Sequence, residues 1–136
     1  MASETTLIYE TEVPIPFTCA DGTGIEKGAI LKMTDPMTAS LADGDGDIIA
    51  GIAATEKIAN DGNTKIAVYR GGIFKGLAGA GITVGQALDT HASTGATNEI
   101  APAPVGGDYI LGTSLETASD THTFLFELKP SSRDEA

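Results

Sequence analysis

Apolar and polar residues alternate with a period of two along much of the chain. Between Leu7 and Phe17, the residues Leu7, Tyr9, Thr11, Val13, Ile15 and Phe17 fall on one face; Ile8, Glu10, Glu12, Pro14 and Pro16 fall on the other. In extended backbone successive side chains point to opposite faces, so this pattern predicts a strand or an extended arm. Pro14 and Pro16 have no N–H to donate, which assigns the second half to an edge or outside a sheet. The clearest strand is at the other end of the chain. There His122, Phe124, Phe126 and Leu128 oppose Thr121, Thr123, Glu127 and Lys129, with Leu125 the one apolar residue on the polar side. Lys65–Arg70 is a further strand, with Ile66 and Val68 on one face. Shorter runs lie at Ala29–Met33, Asp47–Ala53, Gly72–Leu77 and Tyr109–Thr113. Turn-forming pairs separate them: Asp21-Gly22, Asp35-Pro36, Asp61-Gly62 and Gly106-Gly107. Only Ala53–Ala59 has the composition of a helix, and it is too short to stand alone. The pattern predicts an all-β protein, a small β-barrel or β-sandwich of short strands with little helix. Residues 1–19 read as an N-terminal extended arm or strand and 20–129 as a single β domain. Residues 130–136 read as a polar tail that frays.

The glycines also repeat. Gly22, Gly24, Ile25, Gly28 and Leu31 recur as Gly79, Gly81, Ile82, Gly85 and Leu88, each 57 residues on. Gly46, Asp47, Ile49 and Gly51 recur as Gly107, Asp108, Ile110 and Gly112, 61 residues on. Asp61 and Thr64 recur as Asp120 and Thr123, 59 residues on. Conserved order with small drifts in offset predicts an internal pseudo-twofold repeat, with halves 21–76 and 77–129. Neither half could bury its apolar face alone.

Charge narrows the class of partner. Among 136 residues, 19 acids against 8 bases give a net charge of −11. Nucleic-acid backbones and anionic membrane surfaces are met by clustered Lys and Arg, so no nucleic acid and no membrane partner is expected. No apolar run reaches the length that spans a bilayer, and Met1–Thr6 shows no secretory leader pattern. The single cysteine, Cys19, has no intrachain partner, which agrees with synthesis in a cytoplasm.

Candidate chemistry is sparse. Asp43, Asp45 and Asp47 space their carboxylates as the start of a calcium loop does. The later positions that such a loop needs are filled by Ile48 and Ala54, so a turn before a strand is the better reading. Two histidines, His91 and His122, and one cysteine are too few for a Cys/His zinc centre. The glycines at 71, 72, 79 and 81 lack the Lys-Ser/Thr and following helix of a phosphate loop. Glu10 and Glu12 share a strand face, whereas catalytic pairs usually come from separate elements. No catalytic constellation and no cofactor site is expected.

The middle of the chain carries a resemblance. It runs through Gly24, Ile25, Gly28, Ala29 and Leu31, then Thr34-Asp35-Pro36, Ala42 to Asp45, Ala50 to Ala53 and Lys57. It continues through Asp61, Gly62, Thr64, Ile66 to Tyr69 and Gly72 to Phe74, and into Gly81, Ile82, Gly85, Asn98, Gly112 and Leu115 to Ala118. Over residues 20–129 the chain resembles the capsid cement or head-decoration proteins of tailed phages, similar in role to the lambda head-decoration protein. The resemblance implies an all-β structural protein that binds the outer surface of an icosahedral capsid. It implies the major capsid protein as partner, a homotrimer on the shell, and a clamp between adjacent subunits. The protein would be made in the host cytoplasm and end on the virion surface. Within that reading, Leu7, Tyr9, Val13 and Phe17 of the arm are candidate contacts with capsid or neighbour, by strand addition to a sheet edge. The alternative is another virion surface β-module, such as a head-fibre base or a carbohydrate-binding adhesion domain. Sugar sites usually show exposed aromatics, and this chain has four Phe, three Tyr and no Trp.

Overall fold

The computed structural model describes residues 4–42, 48–90, 98–103 and 109–132. Eleven strands and no helix make up the described chain, arranged as two closed five-stranded barrels. The first contains β2 (Ile15–Thr18), β3 (Ile30–Asp35), β4 (Thr38–Leu41), β5 (Ile49–Ala53) and β6 (Lys65–Tyr69), in the order β2-β4-β3-β5-β6. The second contains β7 (Gly72–Ala78), β8 (Ala87–Thr90), β9 (Glu99–Pro102), β10 (Tyr109–Ser114) and β11 (Thr123–Ser132), in the order β7-β11-β10-β8-β9. A parallel contact closes each ring: Thr18 with Thr38 in the first, Leu77 with Glu99 and Ala78 with Ile100 in the second. All other pairings are antiparallel, as short connections require.

The two barrels share connectivity down to individual hydrogen bonds. Gly28 N–H donates to Ala53 O at 2.9 Å, and Gly85 N–H donates to Ser114 O at 2.8 Å. Ile25 bridges Lys57, and Ile82 bridges Ala118. Gly28 and Gly85 have φ of 86° and 84°, a left-handed turn that glycine enters without strain. These pairs keep the offsets of 57 and 61. The third match, Asp61 and Thr64 with Asp120 and Thr123, is not structural. Ile66 and Phe124, 58 residues apart, are the buried equivalents on β6 and β11, because Thr18 pairs Lys65 as Leu77 pairs Thr123. Each barrel also starts one strand ahead of its glycine cluster, at β2 and at β7.

The arm departs from the expected continuous strand. The chain bends at Thr11 and Glu12, which splits Leu7–Phe17 between the barrels. The first strand, β1 (Thr6–Tyr9), pairs with β7 of the second barrel through Thr6–Lys75, Leu7–Phe74 and Tyr9–Ile73. Its continuation, β2, pairs with β6 of the first. Pro16 is tolerated in β2 because β4 meets that strand only at Thr18, leaving its other side an open edge. The expected frayed tail is paired as far as Ser132: β11 continues through Pro130, matching Ser131 to Ile110 and Ser132 to Tyr109.

Two apolar clusters hold this together. The first barrel is filled by Phe17, Cys19, Ile25, Leu31, Ile66 and Val68 with Ala29, Ala39, Ala50 and Ala53. Alanines fit because five strands enclose little space. The second cluster spans both barrels: Ile30, Ile49 and Ile52 from β3 and β5 pack against Phe74, Leu88, Ile100, Leu111, Phe124, Phe126 and Leu128. Successive residues of β5 therefore serve different cores, and all five are buried. Phe126 lies 6.2 Å from Phe74 and 5.7 Å from Phe124, centroid to centroid, so the rings pack as one group. Gly51 and Gly112 are equivalent positions where a strand crosses its partner closely. A Cβ there would lie 2.0 Å from Tyr69 O or 1.9 Å from Glu127 O, so only glycine fits.

Asn98 joins the halves. Its buried side chain accepts from Ile30 N–H at 2.9 Å, and donates to Thr5 Oγ1 and to Gly28 O, both at 3.0 Å. It thereby ties β9's approach to β3 and to the segment before β1. Its φ of 59° suits asparagine, which tolerates the left-handed region better than most residues.

Candidate interaction surface

Among the described residues, Lys57 is the centre of a buried charge cluster with two carboxylates. It sits beside the bridge to Ile25, and its ammonium is sealed from solvent. It donates to Asp61 Oδ1 at 2.7 Å, Asp21 Oδ1 at 2.9 Å, Ile58 O at 2.6 Å and Asp21 O at 3.1 Å. Burial pulls the Lys57 pKa down, yet the hydrogen bonds and charges of Asp61 and Asp21 outweigh it and hold the pKa above the ordinary value. The hydrogen bond from Lys57 holds Asp61 below the usual carboxylate range, helped by Asn63 N–H. An ammonium held in its charged form is a poor nucleophile, and its bonds tie the segment around the Ile25–Lys57 bridge to Asp21, Ile58 and Asp61. Ala118 takes its place in the second barrel.

An open depression of about 190 Å³ lies where the barrels meet, lined by Met33, Ile48, Ile49, Arg70, Tyr109, Pro130 and Ser131. The Arg70 guanidinium there is spent on Ile49 O and Ala50 O. Among the described residues no group of three or more His, Cys, Asp or Glu side chains could hold a metal. The weak calcium candidates Asp43, Asp45 and Asp47 lie outside the described residues, as does His91. Cys19 is buried in the first barrel, and burial pushes its thiol pKa up.

What the surface does offer is apolar and acidic. Of the four arm residues singled out from the sequence, Phe17 is 1% exposed and belongs to the first core. Leu7 packs against the shared core. Tyr9 and Val13 are 63% and 73% exposed, and the flanking Ile8 and Ile15 are open too. Glu10 and Glu12 sit among them. Glu10 accepts from Tyr69 OH at 3.3 Å; burial first and that carboxylate second raise the Tyr69 pKa. The sequence reading missed the outward face of β7 and β11, although Leu125, out of phase with its strand, pointed to it.

A profile of the phage cement protein family matches residues 9–128. The chain belongs to that family. As a phage cement protein it is a structural component of the virion, and the family implies capsid binding. The cement protein is also similar to the crystal structure of the head fibre gp8.5 N base of bacteriophage phi29. That likeness has a TM-score of 0.56 and 18% identity, and covers 90% of this chain and 99% of the other. At that identity the shared feature is the fold. A search of curated protein sequences finds no match.

Proposed function

We propose that this cement protein binds the outer surface of an icosahedral phage capsid as a homotrimer and clamps adjacent major capsid subunits. The observation that carries the reading is the pairing of family membership with exposed apolar side chains at Ile8, Tyr9, Val13 and Ile15, on a body whose strands close into barrels. Closed barrels leave few free edges, so the free protein resists sheet-to-sheet aggregation while presenting one adhesive region. A charge of −11 keeps unbound copies apart and disfavours the packaged genome as a partner. Cement chemistry needs no cleft: binding to assembled subunits but not to separated ones stabilises the assembly by mass action. Adding the protein to undecorated shells, then heating, tests this. The expected result is saturable binding and a higher disruption temperature. Saturable binding with no gain in shell stability would remove the clamp.

The likeness to a head fibre base favours a second reading, in which the protein is a pedestal for another virion component. Cryo-EM of the particle separates the two: a pedestal carries density beyond this chain.

A further inference from the structure

We infer that the outer face of the β1-β7-β11 sheet on the second barrel is the side that meets the capsid, and that it fits a capsid surface which is apolar at its centre and basic at its rim. The inference rests on the capsid-binding reading above and assigns it a face.

Strand register defines the face. Phe74 and Phe126 point into the barrel, so their neighbours Ile73 and Leu125 point out. Tyr9 pairs with Ile73, Lys75 with Leu125, and Leu77 with Thr123, while Leu115 N–H donates to Leu125 O at 2.9 Å. Tyr9, Ile73, Leu77, Leu115 and Leu125 thus form a connected apolar patch. None of the five belongs to either buried cluster or packs against one.

The first barrel supplies an internal control. By the register that matches Thr18–Lys65 to Leu77–Thr123, the equivalent of Leu77 is Thr18 and that of Leu125 is Ala67. Lys75 corresponds to Pro16. The same scaffold therefore tolerates small residues at these outward positions, so folding does not demand leucine there. At these equivalent positions the second barrel carries leucines, half-buried at Leu77 and Leu125, beside the exposed Tyr9 and Leu115, and a soluble protein keeps a contiguous apolar patch where something covers it.

Charge selects the occupant. Glu127 lies opposite Ile73 and Glu116 accepts from Leu125 N–H at 2.8 Å, with Glu10 directly after Tyr9 in the chain, against Lys75 on β7 and Lys129 on β11. The rim of this face is acidic, so the same face of a second copy would set like charges against each other, whereas a basic-rimmed surface is attracted.

The test compares two double variants in sedimentation with undecorated capsid shells of the cognate phage. Leu77→Thr with Leu125→Ala, the residues of the first barrel, is expected to weaken shell binding at least tenfold while the melting temperature of the free protein stays close to the parent's. Thr18→Glu with Ala67→Glu on the opposite barrel is expected to bind as the parent does. Parent binding is expected to weaken as salt rises. Should both variants bind shells like the parent, the face is wrong while the capsid reading stands. Loss of binding only in the first-barrel variant would move the contact to the other barrel. If the leucine variant keeps shell binding but loses self-association in light scattering, the face joins copies of this chain and the inference fails. A parent that ignores shells overturns both the capsid reading and the face.

Discussion

Replacing Asn98 tests whether the two barrels are bracketed by one side chain. In Asn98→Ala, the buried Ile30 N–H loses the Oδ1 acceptor that it reaches at 2.9 Å. An orphaned buried donor costs about 1–3 kcal/mol. The bonds to Thr5 Oγ1 and Gly28 O go as well, each worth about 1 kcal/mol net. Gly28 O keeps the Thr5 N–H at 3.1 Å, so it is not left bare. Alanine must also hold a φ of 59°, at a cost of about 1 kcal/mol beyond asparagine's. Together these predict a loss of about 4–6 kcal/mol, a large share of the stability of about 5–15 kcal/mol that a domain commonly has. Asn98→Gly removes the same bonds but not the backbone freedom at positive φ, so it is expected to recover about 1 kcal/mol relative to Asn98→Ala. Urea unfolding followed by circular dichroism measures both, at unchanged slope against denaturant. A loss under about 1.5 kcal/mol for Asn98→Ala, or glycine no better than alanine, would refute the bracket.

Other expectations are as direct. Gly112→Ala drives a Cβ against Glu127 O and is expected to prevent soluble folding, whereas Gly81→Ala meets nothing within 4 Å and should leave the melting temperature within about a degree or two. Phe126→Ala, at the centre of the phenylalanine group, should cost about 3–5 kcal/mol in chemical denaturation. Lys57→Met should lower the melting temperature by several degrees at neutral pH. In the parent, the Asp61 contribution is present above the ordinary carboxylate pKa and lost as pH falls through its depressed folded value. The Lys57 contribution is complete below its ordinary pKa and lost as pH rises through its elevated one. Melting curves of parent and variant should therefore differ most between those limits and converge at strongly acid and alkaline pH. Cys19 should resist alkylation in the native state and react once urea unfolds the chain, as mass spectrometry would show.

The fold class was legible because long alternating runs such as Thr121–Lys129 and Lys65–Arg70 bury one face against a core. The strands β4, β8 and β9 escaped notice for a physical reason. Each has four residues, with sequences TASL, ALDT and EIAP, too short for a period to emerge; β4 and β9 close the two rings, and β8 links β10 to β9. The repeated glycines were readable since Gly28 and Gly85 occupy a backbone region closed to most residues. Two barrels in place of one body could not be read, since only tertiary register shows that Ile30 and Leu31 serve different cores. The arm misled by its own regularity. Leu7 and Phe17 share a parity but are buried in different clusters, because the bend at Thr11 and Glu12 resets the alternation. The most useful signals were the breaks in pattern: Ile8 and Leu125 sit on otherwise polar faces, and both lie outside the buried cores.

The path of the chain through the barrels sets an order of completion. Synthesis delivers β1 first, and its partner β7 begins only at Gly72, after the whole first barrel has emerged. Until β11 arrives, the cluster around Ile30, Ile49 and Ile52 lacks Phe124, Phe126 and Leu128, and β1 has no finished sheet to join. The sheet that we assign to the capsid is assembled from the first strand of the chain and the last. A truncated or half-made copy cannot present it. On the proposed reading, a shell would therefore meet this face only on molecules whose first and eleventh strands have both joined β7.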